Sequence, residues 1–169
     1  MYYNDFHDLK LSGLGLGCMR LPCIDGDESR PDPAKVQEMI DYAIANGINY
    51  FDTAWGYHGG NSEAVIGEAL SKHDRSKFYL ASKFPGYDRK NFDKKEEIFE
   101  TQLERCKTDH FDFYLCHTLT EENEAWYMDD ELGLMDYLVE QKKAGRIAAG
   151  ARSVARQMLE PGVSTKAIN

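Results

Sequence analysis

Nowhere in the 169 residues does an uninterrupted apolar stretch approach the roughly 20 residues that a membrane-crossing helix needs. The opening segment, MYYNDFHDLK, lacks the apolar centre of a secretory signal, so the cytoplasm is the expected compartment. A surplus of positive charge is missing as well. With 29 acidic against 20 basic side chains the formal net charge is −9, which argues against a nucleic-acid or anionic-membrane surface. A small anionic ligand could still bind at one local basic site. Paired cysteines are also lacking. Cys18, Cys23, Cys106 and Cys116 are scattered without a C-x-x-C motif, and they read as reduced, buried or half-buried thiols. Cys18 and Cys23 with His117 could be tried as metal ligands, but neither spacing nor number fits a common pattern, and no metal is assigned.

What is present is enough apolar material for a core: 42% hydrophobic and 12% aromatic residues in a chain the length of one ordinary domain. Short apolar runs alternate with helical patterns. After an extended N-terminal segment, FHDLKLS, the run LGLGC at 14–18 predicts a strand. PDPAKVQEMIDYAIANG then has proline at a helix start, Val36, Met39, Ile40, Ala43 and Ile44 at helical spacing, and Gly47 as its stop. INYFD predicts the second strand, EAVIGEALSK a second helix capped by Asn61 or Ser62, and KFYLASK at 77–83 a third strand. A helix over KKEEIFETQLERCK, apolar at Ile98, Phe99, Leu103 and Cys106, leads to a fourth strand, FDFYLCH, at 111–117. Another helix spans 132–145.

Crossovers of about thirty residues between such runs imply parallel strands. An open doubly wound sheet and a (β/α)8 barrel both satisfy this. The open dinucleotide-binding sheet expects its G-x-G-x-x-G in a first turn that opens a helix, and GLGLGC is not followed by one. The barrel is favoured by a second feature. Asp52, Lys83 and His117 lie at or just past the carboxyl ends of successive strands, with Tyr57 on the Gly-rich loop after one of them, and such ends form a barrel's catalytic rim.

The four residue types fit one chemistry. A tyrosine hydroxyl titrates near pH 10, and it protonates a carbonyl oxygen only when a neighbouring cation stabilises the anion left behind. Lys83 is that cation, Asp52 the group that orients it, and His117 a hydrogen-bond donor to the substrate oxygen. Singly each has a plain structural role: a turn cap, a loop aromatic, a solvated charge, a buried imidazole. Together, in this order and at these strand ends, they read as a site. His58, beside Tyr57, reads as a loop residue and not a catalyst.

With GLGLGCMRLP, FDTAWGY, ASKFPG and DFYLCH in this order, residues 8–147 resemble the aldo-keto reductase family. The resemblance implies a (β/α)8 TIM barrel and reduction of aldehydes or ketones by NADPH or NADH. It implies Tyr57 as proton donor, Asp52 and Lys83 as its tuning pair and His117 as the orienting residue. Cys18, Met19 and Arg20 resemble the first cofactor-contacting loop, with Asp52 beside it. The stretches YFDTAWGYHGGNSEAVIGEAL and MDYLVEQKKAGRI resemble bacterial members that often carry a C-terminal iron–sulfur domain; no such segment follows here, and no cluster is expected.

Past Ile147 the pattern departs from the family. The resemblance would continue with a fifth strand and three further strand–helix units, whereas the chain reads AAGARSVARQMLEPGVSTKAIN. That stretch has no β-branched run, and ARSVARQMLE is helix-compatible up to Pro161-Gly162. The expectation is therefore a barrel truncated to about its first four strand–helix units, residues 1–147, followed by an atypical tail, 148–169. Most cofactor contacts of the family come from the second half of the barrel, so the expected cofactor site is incomplete and activity of the chain alone is left open. Open strand edges point to self-association, and the alternative reading is a non-catalytic scaffold or interaction subunit.

Overall fold

The structure, a computed structural model, describes residues 1–150. A hairpin comes first: β1 (Tyr3–Phe6) pairs antiparallel with β2 (Leu9–Ser12) around His7, whose φ of 52° makes the tight turn. The sequence predicts only an extended segment there, because alternation over four residues cannot name its partner. Then follow β3 (Leu16–Gly17), α1 (Pro33–Ala45), β4 (Tyr50–Asp52), α2 (Ser62–Leu70), β5 (Tyr79–Phe84), α3 (Lys95–Arg105), β6 (Phe111–Cys116), the short α4 (Glu124–Tyr127), α5 (Leu134–Lys143) and β7 (Ile147–Gly150). Strands β3 to β7 form one parallel sheet in chain order.

This is the arrangement of consecutive units of a (β/α) barrel, and it corrects one expectation. The four strand–helix units expected are present, and a fifth parallel strand follows them: Ile147 pairs with Phe111 and Gly150 with Tyr114, so the residues that carry no β-branched run nevertheless continue the sheet. The ladder already set by β6 overrides weak local propensity, since a strand's preference depends on what it packs against. The edges among the described residues are accordingly β3 and β7. The helix expected at 151–160 lies outside the described residues.

Helix α1 begins as its sequence dictates. Asp32 caps the amides of Ala34 and Lys35, with Pro33 in the first turn. Its apolar stripe buries Val36, Ile40 and Ala43; α3 buries Ile98, Phe99 and Leu103, and α5 buries Leu134 and Leu138. These meet Phe51, Leu80, Phe111 and Tyr114 of the sheet in one core, where each fully buried large side chain contributes about 1.5–3 kcal/mol. Helix α2 approaches the end of α3 closely at Gly67, where a Cβ would lie 2.3 Å from the carbonyl oxygen of Arg105. Its expected cap is absent, because Asn61 turns its amide to Ser29 and the Ser62 hydroxyl bonds the Cys18 carbonyl.

The period of two along parallel strands sorts the other face of the sheet. Tyr50, Tyr79 and Phe113 share it, with Tyr50 5.3 Å and Tyr79 6.4 Å from the Phe113 ring, and Phe6 of the hairpin adds a fourth ring 5.9 Å from Phe113. Two residues further along β4, and four along β5 and β6, this face carries Asp52, Lys83 and His117. Aromatic closure at one end and charge at the other follow from the same alternation.

Candidate active site

Strand β4 delivers Asp52 and β5 delivers Lys83 to one point. The Lys83 ammonium bonds the Asp52 carboxylate and the carbonyl oxygen of Thr53, the latter at 2.7 Å. Only 12% of the lysine side chain and 26% of the aspartate side chain is exposed, so the pair is held in a partly desolvated setting where Coulomb attraction is strong. The chain leaves β4 through Thr53 and Ala54, both fully buried, and reaches Tyr57 in a tight turn ending at Gly60. That turn carries the Tyr57 ring under the cation: Lys83 Nζ lies 4.9 Å from its centroid.

His117 completes the group from the end of β6. Its ring stands edge-to-face with Tyr57 at 5.5 Å and with Tyr87, on the loop after β5, at 5.3 Å. Its backbone is fixed as firmly: His117 N–H donates to the Phe84 carbonyl at 3.0 Å, and the Tyr127 hydroxyl donates to the His117 carbonyl at 2.7 Å. Burial, and then the charge of Lys83, push the imidazole below its ordinary pKa, with Asp52 opposing. The ring is therefore neutral near pH 7. Its Nδ1 is buried with no hydrogen-bond partner among the described residues. A bare acceptor tolerates that better than an N–H does, which places the proton on Nε2.

The turn after Tyr57 is held by His58, whose left-handed backbone, φ 56°, costs a non-glycine residue about 1 kcal/mol. Both ring nitrogens repay it structurally: Nε2 accepts from Leu21 N–H at 3.1 Å and Nδ1–H donates to the Glu28 carbonyl at 2.6 Å. His58 is thus a strut, as expected of a loop residue. Gly59 and Gly60, at φ 63° and 93°, continue the turn without strain.

The residues expected to contact a cofactor part company. Cys18 is fully buried, its amide donates to the Asp52 carbonyl at 2.8 Å, and burial pushes its thiol up to about 12. Its backbone amide, just past β3, ties that strand to the end of β4, and its thiol faces the Leu16 carbonyl. Met19 and Arg20 are exposed and line, with Glu28 and the Gly56–Gly59 turn, a cleft of about 220 Å³ that includes Tyr57. Among the described residues Arg20 bonds the Met19 carbonyl alone, and its side chain is exposed in a chain of net charge −9. Among the described residues no three His, Cys, Asp or Glu side chains gather as metal ligands would, and no helix is long and apolar enough to cross a membrane.

Sequence reasoning missed the supports. Thr53 contributes a carbonyl, which no residue type announces. Behind the sheet, Glu63, Ser82, Gln102 and Tyr114, all fully buried, form one hydrogen-bonded cluster. A signal existed for two of them. Glu63 shares the buried stripe of Ile66, Gly67 and Leu70 in α2, and Gln102 that of Phe99, Leu103 and Cys106 in α3, polar residues at apolar positions.

The model of the Aldo/keto reductase family matches residues 13–156, past the point where the sequence pattern departs. The chain is 30% identical over 155 residues to "Probable aldo-keto reductase 1" of Glycine max, covering 85% of this chain and 42% of that protein. It is 35% identical over 125 residues to the uncharacterized oxidoreductase YqkF of Bacillus subtilis (strain 168), covering 69% and 38%. Among solved structures, the holo form of an aldo-keto reductase from Bacillus halodurans superimposes with a TM-score of 0.70 at 28% identity, covering 89% of this chain and 50% of that one. The chain thus spans half or less of the length of these relatives. Over most of its own length it matches them in sequence, and the solved structure in fold as well: the chain belongs to the aldo/keto reductase family, whose members are generally NAD(P)H-dependent oxidoreductases acting on carbonyl substrates.

Proposed function

We propose that this chain carries the proton-donating half of an NAD(P)H-dependent reductase of aldehydes or ketones. The observation that carries the reading is the placement of the Lys83 ammonium, bonded to Asp52 and 4.9 Å from the Tyr57 ring, with His117 edge-on to the same ring. Tyr57 gives its proton to the carbonyl oxygen. Lys83 stabilises the phenolate that remains, and Asp52 with the Thr53 carbonyl keeps the ammonium from turning away. Neutral His117 donates from Nε2 to the same oxygen, fixing its position and spreading the developing charge. Its lowered pKa serves this role, because an imidazolium beside Lys83 would add repulsion where one proton is enough.

The nicotinamide cofactor supplies hydride to the carbonyl carbon when bound. The residues present fit one end of it: Met19 and Arg20 line the cleft that opens on Tyr57, and Arg20 offers a cation for an anionic group. A second reading, a non-catalytic subunit that self-associates or binds a partner, is supported by the open edges β3 and β7 of the described sheet and by the exposed Tyr2, Tyr3 and Phe6 of the N-terminal hairpin. The deciding experiment follows nicotinamide absorbance with NADPH and with NADH over a panel of small aliphatic and aromatic aldehydes and ketones, alongside light scattering. Turnover that disappears in Lys83→Met supports the reductase. A stable oligomer with neither turnover nor nucleotide binding supports the second reading and overturns the first.

A further inference from the structure

We propose that Gln102 and Glu63, neither of which touches the reacting groups, are positioning residues for Lys83. The inference rests on the role just given to Lys83, and it starts from the backbone of β5. In that strand the Ala81 carbonyl faces β4 and accepts from Thr53 N–H, while the Phe84 carbonyl faces β6 and accepts from His117 N–H. By alternation the Lys83 carbonyl faces β4, but β4 has ended at Asp52, whose partner is Ala81. A strand carbonyl buried there without a partner is costly. Gln102 of α3 meets it, its side-chain amide donating to Lys83 O at 3.1 Å.

The amide is itself fixed from both ends. Gln102 Nε2, whose two hydrogens are shared among three acceptors, also reaches Glu63 Oε1 at 2.6 Å and Ser82 Oγ at 2.9 Å, and its Oε1 accepts from the Tyr114 hydroxyl. Ser82, next to Lys83 in the strand, donates its hydroxyl to the same Glu63 oxygen at 2.7 Å. Glu63 Oε2 faces Arg105 at 3.4 Å, and the guanidinium stacks on Trp55 at 4.2 Å. Both neighbours in β5 are therefore tied through one carboxylate to α2 and α3. The helix next to them completes the clamp: Ser62 bonds the Cys18 carbonyl at 3.1 Å and the Thr53 hydroxyl at 2.9 Å, and the Thr53 carbonyl takes the Lys83 ammonium.

Four fully buried polar side chains are a poor way to stabilise a core, because well-packed apolar residues of the same volume do as well or better. They are a good way to define one conformation. What this cluster defines is the height and rotation of β5 at Lys83, and hence where its ammonium sits relative to Asp52 and Tyr57.

The test is competitive acetylation of the lysines with acetic anhydride, read per peptide by mass spectrometry, on the chain without cofactor or substrate. In the wild type Lys83 should react far more slowly than Lys35, 63% of whose side chain is exposed. In Gln102→Met the Lys83 rate should rise about tenfold relative to Lys35. Tyr114→Phe, which keeps the volume and frees only the amide, should raise it about threefold. Glu63→Gln keeps an oxygen for Ser82 and Gln102 and should stay within about twofold of wild type, whereas Glu63→Leu should behave as Gln102→Met. If Gln102→Met fails to fold, Tyr114→Phe and the Glu63 pair decide. An unchanged Lys83 rate in folded variants, or a rise shared by every lysine, overturns the proposal. Because no turnover is measured, the two readings separate: a chain that reduces no carbonyl yet shows this pattern loses the proposed function and keeps the positioning role, and the reverse result removes only the positioning.

Discussion

The two ends of the sheet differ in what their polar groups have left to do. At the amino-terminal end the larger cleft, about 570 Å³, is lined by His73, Arg75, Phe78, Lys107, Thr108 and Asp109 among others. Size and charge would recommend it as a binding site. Yet its polar groups have partners: Arg75 bonds Asp112, Thr108 and two carbonyls, His73 bonds Asp41, and Lys107 bonds Glu68. At the carboxyl end the cleft is about 220 Å³, but it contains an exposed arginine and opens on a tyrosine whose cation is already in place. A site is marked by groups held ready with unused bonding capacity, not by volume.

Substitutions should therefore separate chemistry at one end from stability at the other. Tyr57→Phe deletes one hydroxyl at the rim and should lower carbonyl reduction by about 10²–10⁴-fold while the melting temperature holds; undiminished turnover would end the assignment of Tyr57 as donor. Arg75→Met at the opposite end should do the reverse. It leaves Asp112, which also accepts from Leu80 N–H at 2.8 Å, buried without its guanidinium. The expected cost is about 2–3 kcal/mol of unfolding free energy, with kcat unaffected in the fraction that remains folded. Chemical denaturation of the two variants side by side checks both.

A smaller effect sharpens the picture of the rim. Asp52→Asn and Lys83→Met disrupt one pair, so the double variant should lose less than the sum of the singles, with a coupling of about 1–2 kcal/mol in kcat/KM. Additive losses would show that the two act separately. The smallest expected effect is on pH dependence. His117 has a lowered pKa in the folded state, so just below the unfolded value of 6.5 the unfolded chain binds the extra proton and the folded chain does not. Stability should be unaffected by this group above that pH and fall as pH drops through it, by a fraction of the total acid destabilisation. Between pH 8 and 5 the wild type should lose more melting temperature than His117→Gln does; parallel curves would remove His117 as the source.

Much of this arrangement is written in the sequence. Apolar spacing in α1 and α3, proline and Asp32 at the start of α1, and the runs around Phe51, Leu80 and Phe113 specify helices and strands through short-range physics, because burial and capping act on neighbours along the chain. The order Asp52, Tyr57, Lys83, His117 was legible for the same reason, since strand ends can be counted. Tertiary structure alone decided the rest. Strand β7 forms on Ala148 and Ala149, weak strand formers, because β6 offers it a ladder. The Cys18 side chain is fully buried and its amide bonds the Asp52 carbonyl, because the end of β3 lies beside the end of β4. Glu63, Ser82 and Gln102 become one cluster only when α2, β5 and α3 meet, for hydrogen bonds between groups 19 to 39 residues apart depend on the packing of three elements and on no pattern within any one of them.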